Sequence, residues 1–349
     1  MKNKILILTA LIAGSNLSAK ATQPDVNLAP VEQNTAAAPA LDTFYRLVSS
    51  DGTKCLQSTL AGKQLQMGTE KDVESIFCLT KNGFISYVRG AIINRFGQYG
   101  APGNAFAAEI TEVVGKSGVF NIKLSAWGKG SFLYRDGDKL TGAEILAADN
   151  TAFEWKLEKV EALIVTIGET GYSTLFSPCA LNIPNGLKAY TGKLQGFDKL
   201  MLSEVQNVIP ANSPVIVHGK PGTYALSLSK ENPAKDWSNI LLGKTNEGGK
   251  PKVQGTEVDV LTLQVIDGQI GMYKYSENIL KGFKVFLRAD KLPAATNSLR
   301  FVFKDEVTGI ESVEEVAGSL KYYDLMGRRV AQPKQGFYIT SAGKKVYFK

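Results

Sequence analysis

An all-β fold is what this sequence predicts, on three observations. Residues 161–308 contain no helical apolar pattern of useful length and break instead into short runs separated by Pro/Gly turns. Two of those runs alternate: Leu261, Leu263 and Val265 with Thr262 and Gln264, and then Leu299-Arg300-Phe301-Val302-Phe303. Alternation with a period of two sends successive side chains to opposite faces of a strand. Residues 42–160, finally, repeat a strand–turn–strand unit three times, and repetition weighs more than any local propensity.

The bulk numbers set the frame. At 349 residues the chain is long enough for two or three domains. A hydrophobic content of 44%, with 16 Phe and 13 Tyr, supplies real cores and excludes wholesale disorder. The first 21 residues read as a secretory signal: Lys2 and Lys4 are the positive start, Ile5–Ala13 is the apolar run, and Ala19-Lys20-Ala21 is the small-x-small site. That run is too short to span a bilayer, and no Cys follows it to carry a lipid. No transmembrane segment is therefore expected. Residues 22–41 hold three Pro and no aromatic, and read as a disordered linker.

Net charge narrows the partners. Of the formal +7, three positive charges (Lys2, Lys4, Lys20) lie in the signal, and the last forty residues carry seven Lys/Arg against four Asp/Glu. The body between them is left at about +1, with no basic stripe interleaved with aromatics. Nucleic acid is a poor partner for such a surface.

In residues 42–160 each repeat ends on an aromatic-x-apolar triplet: Phe77-Cys78-Leu79, Phe120-Asn121-Ile122 and Trp155-Lys156-Leu157, spaced by 43 and 35 residues. Three units of about forty residues with Gly turns fit three-fold closure of a barrel. Here the chain resembles the β-trefoil of ricin-type lectins, whose repeats end in Gln-x-Trp; Ser75-Ile76-Phe77 and Phe153-Glu154-Trp155 stand in that place. The resemblance covers a third of the chain. It implies a glycan site that pairs an acid or amide with an aromatic face. Carried over, Gln57 stands where an Asp is usual and Met67 where the stacking Trp is usual, while the third repeat offers Tyr134, Arg135 and Asp136. None reproduces the full set, so the fold raises sugar binding while the residues lower it.

Residues 161–308 predict an antiparallel β-sandwich-like domain, with turns at Pro184-Asn185-Gly186, Pro210-Ala211-Asn212 and Pro221-Gly222. Asp267-Gly268 supplies the positive φ of a two-residue hairpin between Leu261–Val265 and Ile270–Met272. Tyr172–Pro178, Ala189–Gly192 and Val208–Val215 resemble a domain of Bacteroides- and Prevotella-like surface proteins, which brings no chemistry with it. From residue 309 a small β tail follows. Its Gly327, Arg328 and Arg329, then Gly336 and Tyr338, then Gly343, Lys344, Lys345 and Lys349, resemble the C-terminal sorting domain of type IX secretion in Bacteroidetes. That resemblance implies contact with the secretion machinery, passage through the outer membrane and surface attachment.

Catalytic constellations are scarce. His218 is the single histidine, ending an apolar strand before a glycine, and a lone His in that setting is more often packed than ligating. Zinc needs three or four N/S ligands, and no Gly-x-Ser-x-Gly elbow accompanies a triad. Gly97–Gly103 lacks the Gly-Lys-Ser/Thr end of a phosphate loop and reads as a turn. Asp136-Gly137-Asp138 does not continue into a calcium ligand series. Among three cysteines at least one is unpaired, and their apolar neighbours favour buried thiols over a Cys55–Cys78 bridge.

The expectation is thus an exported, non-catalytic protein without cofactor or metal, binding a glycan or a host or envelope surface through the trefoil-like domain. Two other classes stay open. One is a protease inhibitor using the loop Phe96–Phe106, the other a glycoside hydrolase whose two carboxylates converge only in the fold.

Overall fold

The computed structural model of the chain describes residues 38–61, 63–147, 149–294, 296–304, 322–324, 329–330, 335–340 and 345–348. Among these the structure is all-β, with three short 3-10 turns as its helical content. The predicted signal and most of the linker lie outside the described residues, as do Gly327, Arg328, Gly343, Lys344 and Lys349 of the tail.

Ten strands make the first sheet: β1 (Thr43–Ser49), β2 (Cys55–Ala61), β3 (Gln64–Gly68), β4 (Phe77–Thr80), β5 (Gly83–Ser86), β6 (Ala107–Glu112), β7 (Phe120–Ala126), β8 (Lys129–Asp136), β9 (Lys139–Ala143) and β10 (Trp155–Lys159). Their order is β10-β7-β8-β9-β3-β2-β1-β4-β5, with β6 on β7, and β10 pairs with β1 as well. The sheet therefore closes on itself into a barrel, joined where Tyr45–Ser49 runs against Trp155–Lys159. Closure leaves those strands no free edge. Phe77, Phe120 and Trp155, the three repeat-ending aromatics, are all buried.

Two of the repeats share a local device that the residue pattern did not reveal. Five residues before Phe77 and before Trp155 stand Asp72 and Asn150, each capping a 3-10 turn (Val73–Ser75 and Thr151–Phe153) by accepting the N–H two residues on. An arginine from a barrel strand then ties each turn down. Arg46 donates to Lys71 O and Ser75 Oγ, and Arg135 donates to Thr151 O. In the second repeat a turn through Lys116 and Val119 takes that place.

The next strands are β11 (Ala162–Ile167), β12 (Tyr172–Leu175), β13 (Leu181–Asn182), β14 (Leu187–Gln195), β15 (Lys199–Val205), β16 (Val208–Ile209), β17 (Val215–Gly219) and β18 (Gly222–Ser227). After them come β19 (Leu242–Lys244), β20 (Gly248–Gly249), β21 (Lys252–Val253), β22 (Thr256–Glu257), β23 (Val260–Ile266), β24 (Gln269–Lys274), β25 (Ile279–Leu280), β26 (Lys284–Arg288) and β27 (Ser298–Phe303). Nine of them form one sheet in the order β12-β17-β14-β15-β27-β24-β23-β26-β19. The Asp267-Gly268 turn joins Ile266 to Gln269 with both φ positive, the two-residue hairpin its sequence predicts.

Two features depart from a plain antiparallel sandwich. The β15–β27 pair is parallel: the segment between them places β17 between β12 and β14, and β24, β23 and β26 on the far side of β27, before β27 itself returns beside β15. The sheet also curls, as the twist of a broad sheet demands. Its end strand β12 meets β26 through the Phe176 N–H on Phe283 O (3.2 Å) and the Val285 N–H on Thr174 Oγ1 (3.4 Å).

The run Val215-Ile216-Val217 shows why the sheet is buried on both faces. Ile216 enters a core with Tyr190, Leu200, Leu202, Leu261, Met272, Val285 and Leu299. Val215 and Val217 point the other way, with Leu187 and Ala189, onto Leu163, Val165 and Ile167 of β11 and Leu226 of β18. The same second core continues without a break into Phe44, Phe77 and Trp155 of the barrel. The expected boundary at residue 160 thus separates two sheets that share one core. Gly90 (φ 68°) and Gly282 meet backbone to backbone at this junction, and a Cβ on Gly90 would lie 2.5 Å from Gly282 N. Glu247 N–H donates to Gly90 O (2.6 Å) beside them.

At the C-terminal end β28 (Tyr322–Tyr323), β29 (Arg329–Val330), β30 (Gly336–Thr340) and β31 (Lys345–Phe348) form a separate small sheet, β29-β28-β30-β31. Phe348 meets Tyr322 and Tyr338 edge-on at 5.2 and 5.6 Å, the packing favoured between aromatic quadrupoles.

Candidate functional site

Of the residues the sequence offered for a glycan, two are committed to the barrel interior. Gln57 is buried on β2, where its amide donates to Glu70 O and lies 3.3 Å from Cys55 Sγ. Met67 on β3 is buried in the core, while its backbone N–H donates to Asp138 O. Tyr134 stacks on Phe153 with ring centroids 4.9 Å apart, and the Arg135 guanidinium sits 5.9 Å over Trp155. Asp136 is exposed where β8 turns into β9, and Asp138 of the same turn is ion-paired with Lys54. Gln57 and Met67 are thus buried, while Tyr134 and Arg135 are half-buried and Asp136 is exposed.

The inhibitor-type loop Phe96–Phe106 is fastened along its length. A Cβ on Gly97 would meet Leu140 O at 2.4 Å, Phe106 is buried, and Gly103 N–H donates to Glu247 O at 3.2 Å. Its exposed Phe96 is covered on one side by the Arg95 guanidinium at 4.1 Å. The three cysteines are free thiols. Burial raises all three, Cys179 to about 11, so each is protonated at neutral pH.

A concave site lies instead on the second sheet, at one end of β14, β15 and β17. It is a cleft of about 490 Å³, and the strands explain its chemistry. Along each strand, residues two apart share a face. Leu200 and Leu202 line the inner core, and Glu204 is the next residue on that face; Tyr190 is followed by Lys188, and Ile216 by His218. At this end the apolar ladder of the core gives way to an acid, an ammonium and an imidazole. Asn185, Gln206 and Asn207 add three amides from the adjoining loops, and Ile183 and Leu187 are among the apolar residues of the lining.

Two glycines shape the rim. Gly186 turns the chain at φ 82° within the Pro184-Asn185-Gly186 turn. Gly219 approaches so closely that a Cβ would lie 3.0 Å from Gly186 O and 2.9 Å from the Tyr224 hydroxyl.

The polar groups are held in place. Lys188 Nζ is 3.1 Å from Glu204 Oε2. Both are substantially exposed, so the pair contributes ~0–1 kcal/mol and serves mainly to orient the two side chains. His218 Nδ1 lies 2.8 Å from Gly171 O. A carbonyl only accepts, so Nδ1 carries a proton and donates it here. The ring stacks on Tyr172 at 4.3 Å, its neighbour across β12 and β17. The sequence marked His218 as packed or solvated, and it is half-buried at the cleft wall; it marked Pro184-Asn185-Gly186 as a turn, and gave no sign that Glu204 and Lys188 join them, since three strands have to meet first.

Among the described residues no group of three or more His, Cys, Asp and Glu stands close enough to hold a metal, and no helix is long and apolar enough to cross a membrane. No protein-family model and no curated protein matches the chain.

Proposed function

We propose that this chain is an exported, surface-attached binding protein without catalytic activity, and that its ligand is a glycan held in the cleft between β14, β15 and β17. One observation carries the reading: the core ladder ends at Glu204, Lys188 and His218, ringed by the amides of Asn185, Gln206 and Asn207. A sugar presents many hydroxyls, each donor and acceptor, on a ring with apolar patches. A concave site with a few convergent polar groups among apolar lining residues is suited to it. The reading moves the ligand away from the barrel, where Gln57 and Met67 are buried.

Binding is favoured over catalysis because the cleft lining puts no serine, threonine or cysteine beside His218, and burial keeps the three thiols elsewhere protonated. Export is supported by Lys2 and Lys4, the apolar run and Ala19-Lys20-Ala21, and surface delivery by the residues from Gly327 to Lys349 that resemble a sorting domain.

A glycan array probed with the full mature chain tests the function. Binding to one glycan class is expected, weakened at least tenfold by Glu204→Gln or Gln206→Ala and unchanged by Lys199→Gln. Loss on Tyr134→Ala with both cleft variants intact would return the site to the barrel. An array with no signal would remove the glycan reading altogether.

A further inference from the structure

A second cavity, of about 270 Å³, opens where the curled sheet fails to zip shut. It lies between end strand β12 (Tyr172, Ser173, Thr174) and the β23–β26 pair (Thr262, Leu263, Val285, Phe286), with Tyr275, Leu280, Lys281 and Lys284 completing the wall. At this seam β12 and β26 exchange few hydrogen bonds, and the space left between them is lined by polar side chains together with Leu263, Leu280, Val285 and Phe286.

The geometry points to an anion site here: a pocket for a carboxylate, sulfate or phosphate group, gripped by the Lys281 and Lys284 ammoniums and by hydroxyls of Ser173 and Thr262. No carboxylate is among the lining residues. Two acids lie nearby. Glu277 accepts from the Tyr275 hydroxyl at 2.9 Å, and Glu247 feels the charge of Lys281. Lys244, the register partner of Lys284 on β19, directs its ammonium to Gly249 O. Desolvation makes Lys284 costly to charge, and the like charge of Lys281 adds to that cost. An oxyanion between them relieves both effects through charge-assisted hydrogen bonds. The Tyr172 ring closes this pocket on one side and stacks on His218, which lines the first cleft, so the two sites share a wall.

The inference stands on its own residues, whether or not the first cleft takes a sugar. Calorimetric titration of the full mature chain with inorganic phosphate, inorganic sulfate, glucuronate and glucose tests it. At least one of the three anions is expected to bind, more weakly as salt is raised, while glucose leaves this pocket empty. Lys281→Gln and Lys284→Gln should each weaken the anion about tenfold, and Lys199→Gln should not. Binding of glucuronate alone identifies the carboxylate of an acidic sugar, and binding of sulfate or phosphate identifies a sulfated or phosphorylated ligand. Absence of binding to all three anions, or an affinity that neither lysine variant lowers, overturns the proposal. Melting curves of both variants matching the parent would show that any loss is local.

Discussion

The ring of Phe283, from the loop before β26, lies 5.7 Å from that of Phe44 on β1, and Tyr87 fills the third corner at 5.3 Å from Phe283. Phe44 and Phe283 are buried, and the Tyr87 hydroxyl donates to Ile164 O at 3.0 Å. This triangle lies where the barrel core passes into the curled sheet, whose inner core around Ile216 belongs to that sheet alone.

The first expectation concerns cooperativity. Phe283→Ala removes a buried ring that both sheets touch, and such changes typically cost ~3–5 kcal/mol. The two sheets should unfold together in urea, with far-ultraviolet dichroism and tryptophan fluorescence (Trp155 in the barrel, Trp237 beyond it) tracing one coincident transition. Two separated transitions in the parent protein would show that the shared core does not couple them.

How much of this was legible in the sequence follows from distance along the chain. The Asp267-Gly268 hairpin and the alternation around it are local, and the residues state them directly. The three repeat-ending aromatics are equally visible, because their spacing recurs. The contact of Phe44 with Phe283 and the parallel β15–β27 pair are not legible: their partners are brought together only after long loops close, and no local pattern encodes that. The cleft is the intermediate case. Its turn Asn185-Gly186 and its lone His218 stood out, but Glu204 and Lys188 become a site only through the register of β14 against β15 and β17. Gln57 and Met67 are the opposite case, since a lectin motif fixes their place on the strand and not the face that the strand buries.

Thiol chemistry gives the second expectation. Cys55 and Cys78 are buried, and Cys179 is half-buried with its Sγ directed to Asp42 O at 3.0 Å. With Cys179 raised to about 11, its thiolate fraction at pH 8 is on the order of one in a thousand. Iodoacetamide should therefore leave the native protein essentially unlabelled over an hour. In denaturant without reductant, three thiols should titrate with a disulfide-exchange reagent; a count of one would reveal a Cys55–Cys78 bridge.

Acid should loosen the first turn. The Asp51 carboxylate accepts from the Ser49 hydroxyl and from Thr53 N–H (3.0 Å) and Oγ1 (2.9 Å), which hold it at about 2 against an ordinary 3.8. A depressed acid stabilises the fold above its unfolded value and ceases to do so as pH falls through the folded one. The contribution is thus complete above about pH 4 and gone below about pH 2. Because Asp51 is exposed, its size is less than ~1 kcal/mol. Urea midpoints measured from pH 5 to pH 2 should fall less steeply for Asp51→Ala than for the parent; parallel curves would remove Asp51 from the acid response.

The last expectation concerns the barrel and the equivalence of its repeats. Phe77 pairs with Tyr45 in register, Trp155 pairs with both Ser49 and Phe120, and all three repeat-ending aromatics are buried. Trp155 also donates its indole N–H to Leu133 O at 3.1 Å. Phe77→Ala, Phe120→Ala and Trp155→Ala should each destabilise the full chain by ~3–5 kcal/mol, with the tryptophan at the upper end because its partner carbonyl is left buried and unpaired. Trp155→Phe keeps most of the apolar volume and loses the hydrogen bond, so it should fall between parent and alanine. The full chain is the right object, since the barrel core runs on into the second sheet and a fragment ending at residue 160 would expose Phe44 and Tyr87. Equal costs at the three positions would mark them as equivalent plugs of one three-fold barrel. A Phe120 variant that melts with the parent would instead place the second repeat outside that scheme, in keeping with its turn at Lys116 where the other two carry a capped 3-10 helix.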